Sequence, residues 1–302
     1  MKESALTLSD FDLKKTNVDI NEIKNFDSEN KFISLAVELF KEASIITTIL
    51  ACVYRIDKNN NPRKWTRNEA ILGGLMVRIS KLASGILDQT CQDRLEIANI
   101  LFRCFGESLI NLTYLLKNKN DKLFNEYIEY SLRAEKRLLN KINQNINIRG
   151  YELPIESRMK RSINESFKTS LFSPEQIDET KWKPWGETIY ERAESIGMQE
   201  EYFALFTLGS HSVHGNWQDL MMYNLEDEKG EFLPNTNWHR SRPQYLFVGA
   251  LISARANELY LNDIMPKCPD KDEINKLLED VFIRIRVADE MHEKFLQNKS
   301  KK

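Results

Sequence analysis

Two stretches of the chain set charged and nucleophilic side chains at helical spacing inside apolar sequence. In Gln92–Lys117 (QDRLEIANILFRCFGESLINLTYLLK), Arg103 and Glu107 stand four residues apart, with Asn99 and Asn111 one turn to either side. Residues four apart share a helix face. Ile100, Ile110 and Tyr114 fall on that same side, so the helix has no clean polar face and reads as a buried, central one. A buried ion is costly unless it is paired and hydrogen-bonded. Arg103 and Glu107 therefore either cross-link helices, with Asn99 and Asn111 satisfying leftover donors and acceptors, or line a cleft. In a cleft a guanidinium clamps a phosphate or carboxylate in two-pronged fashion while Glu107 fixes its orientation.

The second stretch, Tyr202–Trp217 (YFALFTLGSHSVHGNW), ends in Ser210, His211, His214 and Gly215. Ser210 and His214 are one turn apart. Gly215 suits the position after the last helical turn, which puts His214 at a helix C-terminus where the dipole favours the protonated imidazole. Such a histidine titrates near neutrality and can act as acid or base. The bland alternative is a buried histidine bonded to a neighbouring helix. No H-E-x-x-H and no C-x-x-C occurs, and G-x-S-x-G is absent, which argues against a zinc site and a serine-hydrolase elbow. Without a P-loop, a G-x-G-x-x-G or paired carboxylates at metal spacing, no metal or cofactor is expected.

A third group joins Trp182, Lys183, Pro184, Trp185 and Gly186 to the loop Trp238–Arg242 (WHRSR). Tryptophans beside basic groups stack bases and neutralise phosphates; equally, Trp182 and Trp185 can cover the core while the arginines are solvated. On the functional reading, Arg103, Glu107, Ser210 and His214 are the catalytic set, and Trp185, Tyr202, His211 and Arg240 contact substrate. Arg286 and His292, with five residues between them, lie near Asp289, Glu290 and Glu293 on a charged helix that fits a solvated face.

The elements that must hold these residues read as helices throughout. Apolar residues recur at three and four between clusters of glycine and proline, without strand alternation. The expected fold is an all-α multi-helix bundle, a single large domain with irregular loops. Helices are predicted at about 32–55, 67–88, 92–117, 121–144, 155–170, 187–196, 199–214, 244–264 and 271–297. Residues 1–28 read as a loosely held arm and 29–302 as the bundle. Loops are predicted at 58–63, 117–121, 143–154 and 228–243, and NQNINIRG (143–150) divides an N-terminal from a C-terminal half.

The chain has 302 residues, 43 Lys+Arg against 45 Asp+Glu, and a net charge of -2. It is no polycation, so RNA binding needs a local patch, and no basic recognition helix marks a sequence-specific DNA reader. Cys52, Cys91, Cys104 and Cys268 are scattered and read as small buried hydrophobes in a reducing compartment. Ala43–Tyr54 is uncharged but too short for a membrane span, and MKESALTLSDFDLKK lacks a signal peptide's apolar run. A cytoplasmic protein without membrane contact is expected.

In the order of its motifs the chain resembles a bacterial all-helical family known mainly as a domain of unknown function. The family carries R-x-x-x-E before an apolar run with a Tyr-Leu pair, then W-x-G, then a helix with Tyr and S-x-x-x-H. Here these are Arg103, Glu107, Tyr114 and Leu115; Trp185 and Gly186, adjacent without the intervening residue; and Tyr202, Ser210 and His214. The resemblance covers about residues 68–225 and implies that Arg103, Glu107, Ser210 and His214 meet between helices. More distantly, the chain is similar to the HEPN superfamily of helical bundles, many of them metal-independent ribonucleases of toxin and phage-defence systems. Their hallmark is R-x(4–6)-H, a spacing matched here by Arg286 and His292. That likeness implies RNA as substrate; a partner protein or a second copy of the chain is a separate expected companion. The alternative is a non-catalytic helical interaction or sensor module with a structural Arg/Glu/His network.

Overall fold

The computed structural model describes residues 13–53, 55–57, 61–264 and 271–300. In chain order the helices are α1 (Ile20–Ile23), α2 (Glu29–Ala51), α3 (Arg67–Cys91), α4 (Leu95–Lys117), α5 (Asp121–Arg149), α6 (Pro154–Ser170), α7 (Ile189–Ser195), α8 (Gln199–Tyr202), α9 (Leu208–His214), α10 (Trp217–Asp219), α11 (Pro243–Ile264) and α12 (Lys271–Lys299). π turns, Phe203–Thr207 and Leu220–Asn224, join α8 to α9 and follow α10. The all-α multi-helix bundle expected from the periodicity is the fold that forms.

Local signals start the helices. Thr66 opens α3 and Thr188 opens α7 through reciprocal bonds with Glu69 and Glu191, each the T-x-x-E capping box. Pro154 takes the first position of α6, where a missing amide hydrogen costs nothing. Packing then arranges them. α2 lies against α3, α11 and α12, while α4 lies against α3 and α11. Phe40, Phe102 and Phe105 meet at this centre with ring centroids 5.8–6.4 Å apart. α11 passes them at Gly249, where a Cβ would come within 3.1 Å of Phe102 and 3.2 Å of Phe40. α5 and α6 fold back on each other over a smaller apolar cluster built on Ile128, Leu132, Ile142, Ile163 and Phe167.

Several expectations are corrected. α5 does not stop near residue 144: Ile142 and Ile146 pack in the smaller cluster, the helix runs through the asparagines, and Gly150 ends it at φ 83°. Part of the expected 228–243 loop is a hairpin, β3 (Leu225–Glu228) with β4 (Glu231–Pro234), turned by Lys229 and Gly230 at positive φ. Both strands are largely solvent-facing, so no apolar alternation marked them. A second pair, β1 (Arg55–Ile56) with β2 (Pro62–Arg63), takes the last two residues of the expected 58–63 loop into a strand, while residues 58–60 lie outside the described residues. The expected loose arm is docked from residue 13 onward, since the Thr16 amide donates to Glu42, Lys15 pairs with Asp280 and Ile23 is buried. Residues 1–12 lie outside the described residues, as does Cys268. Cys52 and Cys91 are exposed and Cys104 half-buried, because the first two sit where α2 and α3 end. The uncharged segment from Ala43 packs as the buried end of α2; Tyr54 lies outside the described residues. By length and composition α3 could cross a membrane, and its Leu72, Leu75, Met76, Ile79 and Ile86 are the face it buries in the bundle.

His292 is also corrected, because it does not lie on a solvated face. Its ring is fully buried against Phe32 at 4.8 Å, Phe247 and Phe295, and neither ring nitrogen has a partner among the described residues. Burial pushes its pKa below the ordinary 6.5, against the opposing pull of Glu29 and Glu293. The unfolded chain therefore takes the proton more readily. The stability this adds is full above about pH 6.5 and is lost as pH falls through the depressed folded value. His292→Phe is expected to raise the thermal midpoint, and to raise it more at pH 5.5 than at 7.5. An equal shift at both pH values would contradict the sign.

Candidate functional site

α4 carries Glu96, Asn99, Arg103, Glu107 and Asn111 at spacings of three and four, a polar strip along one face. The strip is covered along its length by the chain between Trp185 and Tyr245. Glu96 meets His239 Nδ1 at 2.5 Å. Asn99 Nδ2 donates to the Tyr223 hydroxyl at 3.3 Å. Asn111 accepts from Arg192 of α7. Arg192 also donates Nε–H to the Glu187 carbonyl at 2.9 Å and stacks 3.9 Å from the Trp185 ring centre.

At the centre of the strip, Arg103 lies with its guanidinium carbon 3.2 Å from the ring centre of Phe206, in the first π turn. Its Nη1 is buried and has no hydrogen-bond partner among the described residues. Burial lowers its pKa while Glu107 and Tyr202 work in the other direction. Glu107 stands between two cations, since its charge also favours the protonated form of buried Arg192. No ion pair joins Arg103 to Glu107 among the described residues. The cross-link read from their spacing is therefore replaced by an arginine stacked on an aromatic ring. The physical reason is that Phe206 supplies the face that desolvates the guanidinium without neutralising it.

Two close approaches hold this arrangement. Gly106 of α4 admits Leu205, and Gly209 of α9 lies so near α4 that a Cβ would be 2.5 Å from Arg103 Cβ and 2.8 Å from the Asn99 carbonyl oxygen. Ser210 follows Gly209 directly. α9 ends at His214, with Gly215 at φ 54° after it, as its position in the sequence required. His214 is exposed rather than buried against a neighbouring helix. Among the described residues no hydrogen bond links it to Ser210. Ser210 and His211 are half-buried, and His211 Nδ1 lies 2.6 Å from Asn216 Nδ2. Tyr202 stacks on Phe206 at 4.4 Å and keeps partial exposure.

The remaining candidate contacts divide. Trp185 is buried among Tyr114, Tyr127 and Arg192, so it supports the site from inside and cannot meet a substrate. Arg240 pairs with Asp93 and Asn30 at the α3–α4 corner. α4 begins only at Leu95, eight residues or about 12 Å along its axis before Arg103. The whole loop is sewn to that corner, with Arg94 against Trp238, the Leu95 amide on the His239 carbonyl, and Thr90 on Ser241. Trp182 is exposed and stands over Arg137. Arg192 escaped the sequence reading; its signal is the apolar stripe Ile189, Ala193 and Ile196 beside it, which turns that face of α7 inward. Tyr223, buried with a phenol raised by burial, had no spacing to mark it. Among the described residues no three His, Cys, Asp or Glu side chains stand together as a metal site.

A family model, described as a family of unknown function (DUF5677), matches residues 69–232, more than half of the chain and nearly the span of the ordered motifs. No curated protein and no solved structure matches the chain.

Proposed function

We propose, for a chain that belongs to the DUF5677 family and inherits no activity with that membership, a metal-independent ribonuclease centred on the polar strip of α4 and the end of α9. The observation that carries this reading is Arg103: a desolvated guanidinium with a buried, unpartnered Nη1, beside a helix that ends in an exposed histidine. Such a cation is suited to a phosphate, which would supply the missing acceptor. In the reaction His214 takes the proton of a ribose 2′-hydroxyl as that oxygen attacks phosphorus, and returns it to the departing 5′ oxygen. The products are a 2′,3′-cyclic phosphate and a free 5′-hydroxyl. Arg103 stabilises the charge that builds on the phosphoryl oxygens, the nearby charge of Glu107 favours the protonated guanidinium without bonding it, and Ser210 orients the substrate. RNA as substrate and a cytoplasmic defence or toxin setting belong to this proposal and rest on the all-helical likeness to the HEPN superfamily alone. The R-x(4–6)-H spacing no longer contributes, because His292 is sealed in the core.

The test is incubation of the protein with total tRNA and mixed RNA, with and without EDTA, beside His214→Ala. EDTA-resistant cleavage is expected, with loss of at least about a hundredfold in the variant and no change in its thermal midpoint, because His214 is exposed. Retained cleavage in His214→Ala would sink the assignment.

The second reading, a non-catalytic interaction or sensor module, draws on a different observation. Exposed apolar side chains gather around the same helix end, among them Val213, Trp217, Leu220, Met222 and Phe232. Clustered exposure of this kind marks protein contacts. If wild-type protein leaves RNA intact while Trp217→Glu abolishes self-association or partner capture, this reading takes precedence.

A further inference from the structure

A groove of about 410 Å³ runs between α8, α11 and α12. This falls within the span of small-molecule sites, about 300–1,000 Å³. Its floor is apolar, made by Ala204, Val248, Leu251, Ile252 and Phe282. Its rim is charged and sorted by wall: Glu200 and Glu201 stand on α8, Arg255 on α11 and Arg286 on α12.

The rim charges are unequally engaged. Arg255 donates to Glu201 at 2.9 Å, which takes one charge of each sign out of play. Glu200 has no ion pair among the described residues. Among the described residues Arg286 has only a same-helix contact with Glu290 at 3.6 Å, with both side chains exposed. An exposed pair of that kind is worth little and is readily exchanged. A free carboxylate and a nearly free guanidinium thus face the groove from different walls, above an apolar floor.

We propose that this groove binds a small zwitterion with an apolar body, an apolar α-amino acid, with its carboxylate on Arg286, its ammonium on Glu200 and its side chain over Phe282 and Leu251. A guanidinium receives a carboxylate through two parallel hydrogen bonds. A ligand with one charge would leave the opposite rim group facing an apolar body. The inference is independent of the nuclease reading. It nonetheless touches the same element, because Ala204 belongs to the π turn whose Phe206 lies under Arg103.

Titration calorimetry on the full chain with L-phenylalanine, 3-phenylpropionate and 2-phenylethylamine tests it. L-phenylalanine is expected to bind about tenfold tighter than either singly charged analogue. Arg286→Glu and Glu200→Lys, both at exposed rim positions, are each expected to weaken it about tenfold without moving the thermal midpoint. Equal affinity for all three ligands, no saturable binding, or wild-type affinity in both variants overturns the proposal.

Discussion

Arg284→Ala is expected to destabilise the fold by about 3–5 kcal/mol, the cost of breaking a buried ion pair from one side. Arg284 of α12 holds both carboxylate oxygens of Glu42 in α2, at 2.7 and 2.5 Å, and also reaches Asp280 and the Thr16 carbonyl. Glu42 is almost wholly buried. Burial raises its pKa, but the bonds from Arg284 and the Thr16 amide outweigh it and hold the carboxyl below its ordinary 4.5. The pair's contribution is therefore present above about pH 4.5 and is lost as pH falls through the depressed value. Urea unfolding at pH 7 reads the effect. The double change Glu42→Gln with Arg284→Met is expected to recover much of the loss, because it strands no charge. A single-variant cost below about 1 kcal/mol, the range of a surface pair, would show that Glu42 is solvated. The pair also clamps the chain around Thr16, so the single variant is expected to expose that segment to protease.

The second large effect is at Gly209. Helix propensity alone makes Gly→Ala favourable by about 1 kcal/mol. At Gly209 the added Cβ would stand 2.5 Å from Arg103 Cβ and 2.8 Å from the Asn99 carbonyl oxygen, atoms of another helix's backbone and its first side-chain carbon. Neither is the movable end of a side chain, so α9 must lift from α4. Overpacking of this kind costs about 1–3 kcal/mol, so the sign reverses to net destabilisation. RNA cleavage, if the proposed centre operates, is expected to fall with it, because Ser210 and His214 ride on α9. Gly74, a helical glycine of α3 with open space at its Cβ position, is the control. Gly74→Ala is expected to stabilise by about 0.5–1 kcal/mol. Opposite signs at the two glycines are the diagnostic result; stabilisation at both would mean that α9 does not press on α4.

What was legible in the sequence depended on whether the cause was local. α6 begins at Pro154, α9 ends before Gly215, and Thr66 and Thr188 open α3 and α7, because capping and backbone freedom are decided within one turn. The run through Asn143 failed as a loop signal because Ile142 and Ile146 are anchored by α6, and that anchoring overrides the low propensity of asparagine. The hairpin at Leu225–Pro234 was missed because an exposed ribbon needs no alternation.

The candidate site divides in the same way. The sequence by itself determined the all-α class, most helix positions, the one-turn spacing of Asn99, Arg103, Glu107 and Asn111 on α4 and the place of His214 at a helix end. These are periodic or capping properties, written in residues three to four apart. Only the tertiary structure decided which polar residues the strip meets. It set Arg103 on Phe206 rather than on Glu107, buried Trp185 behind Arg192, moved Arg240 to the α3–α4 corner, and sealed His292 among phenylalanines. Contacts between residues a hundred positions apart depend on how closely two helices approach. That distance is set at Gly106, Gly209 and Gly249, where a missing side chain on one helix leaves room for a particular residue of another. No spacing along a single helix records it.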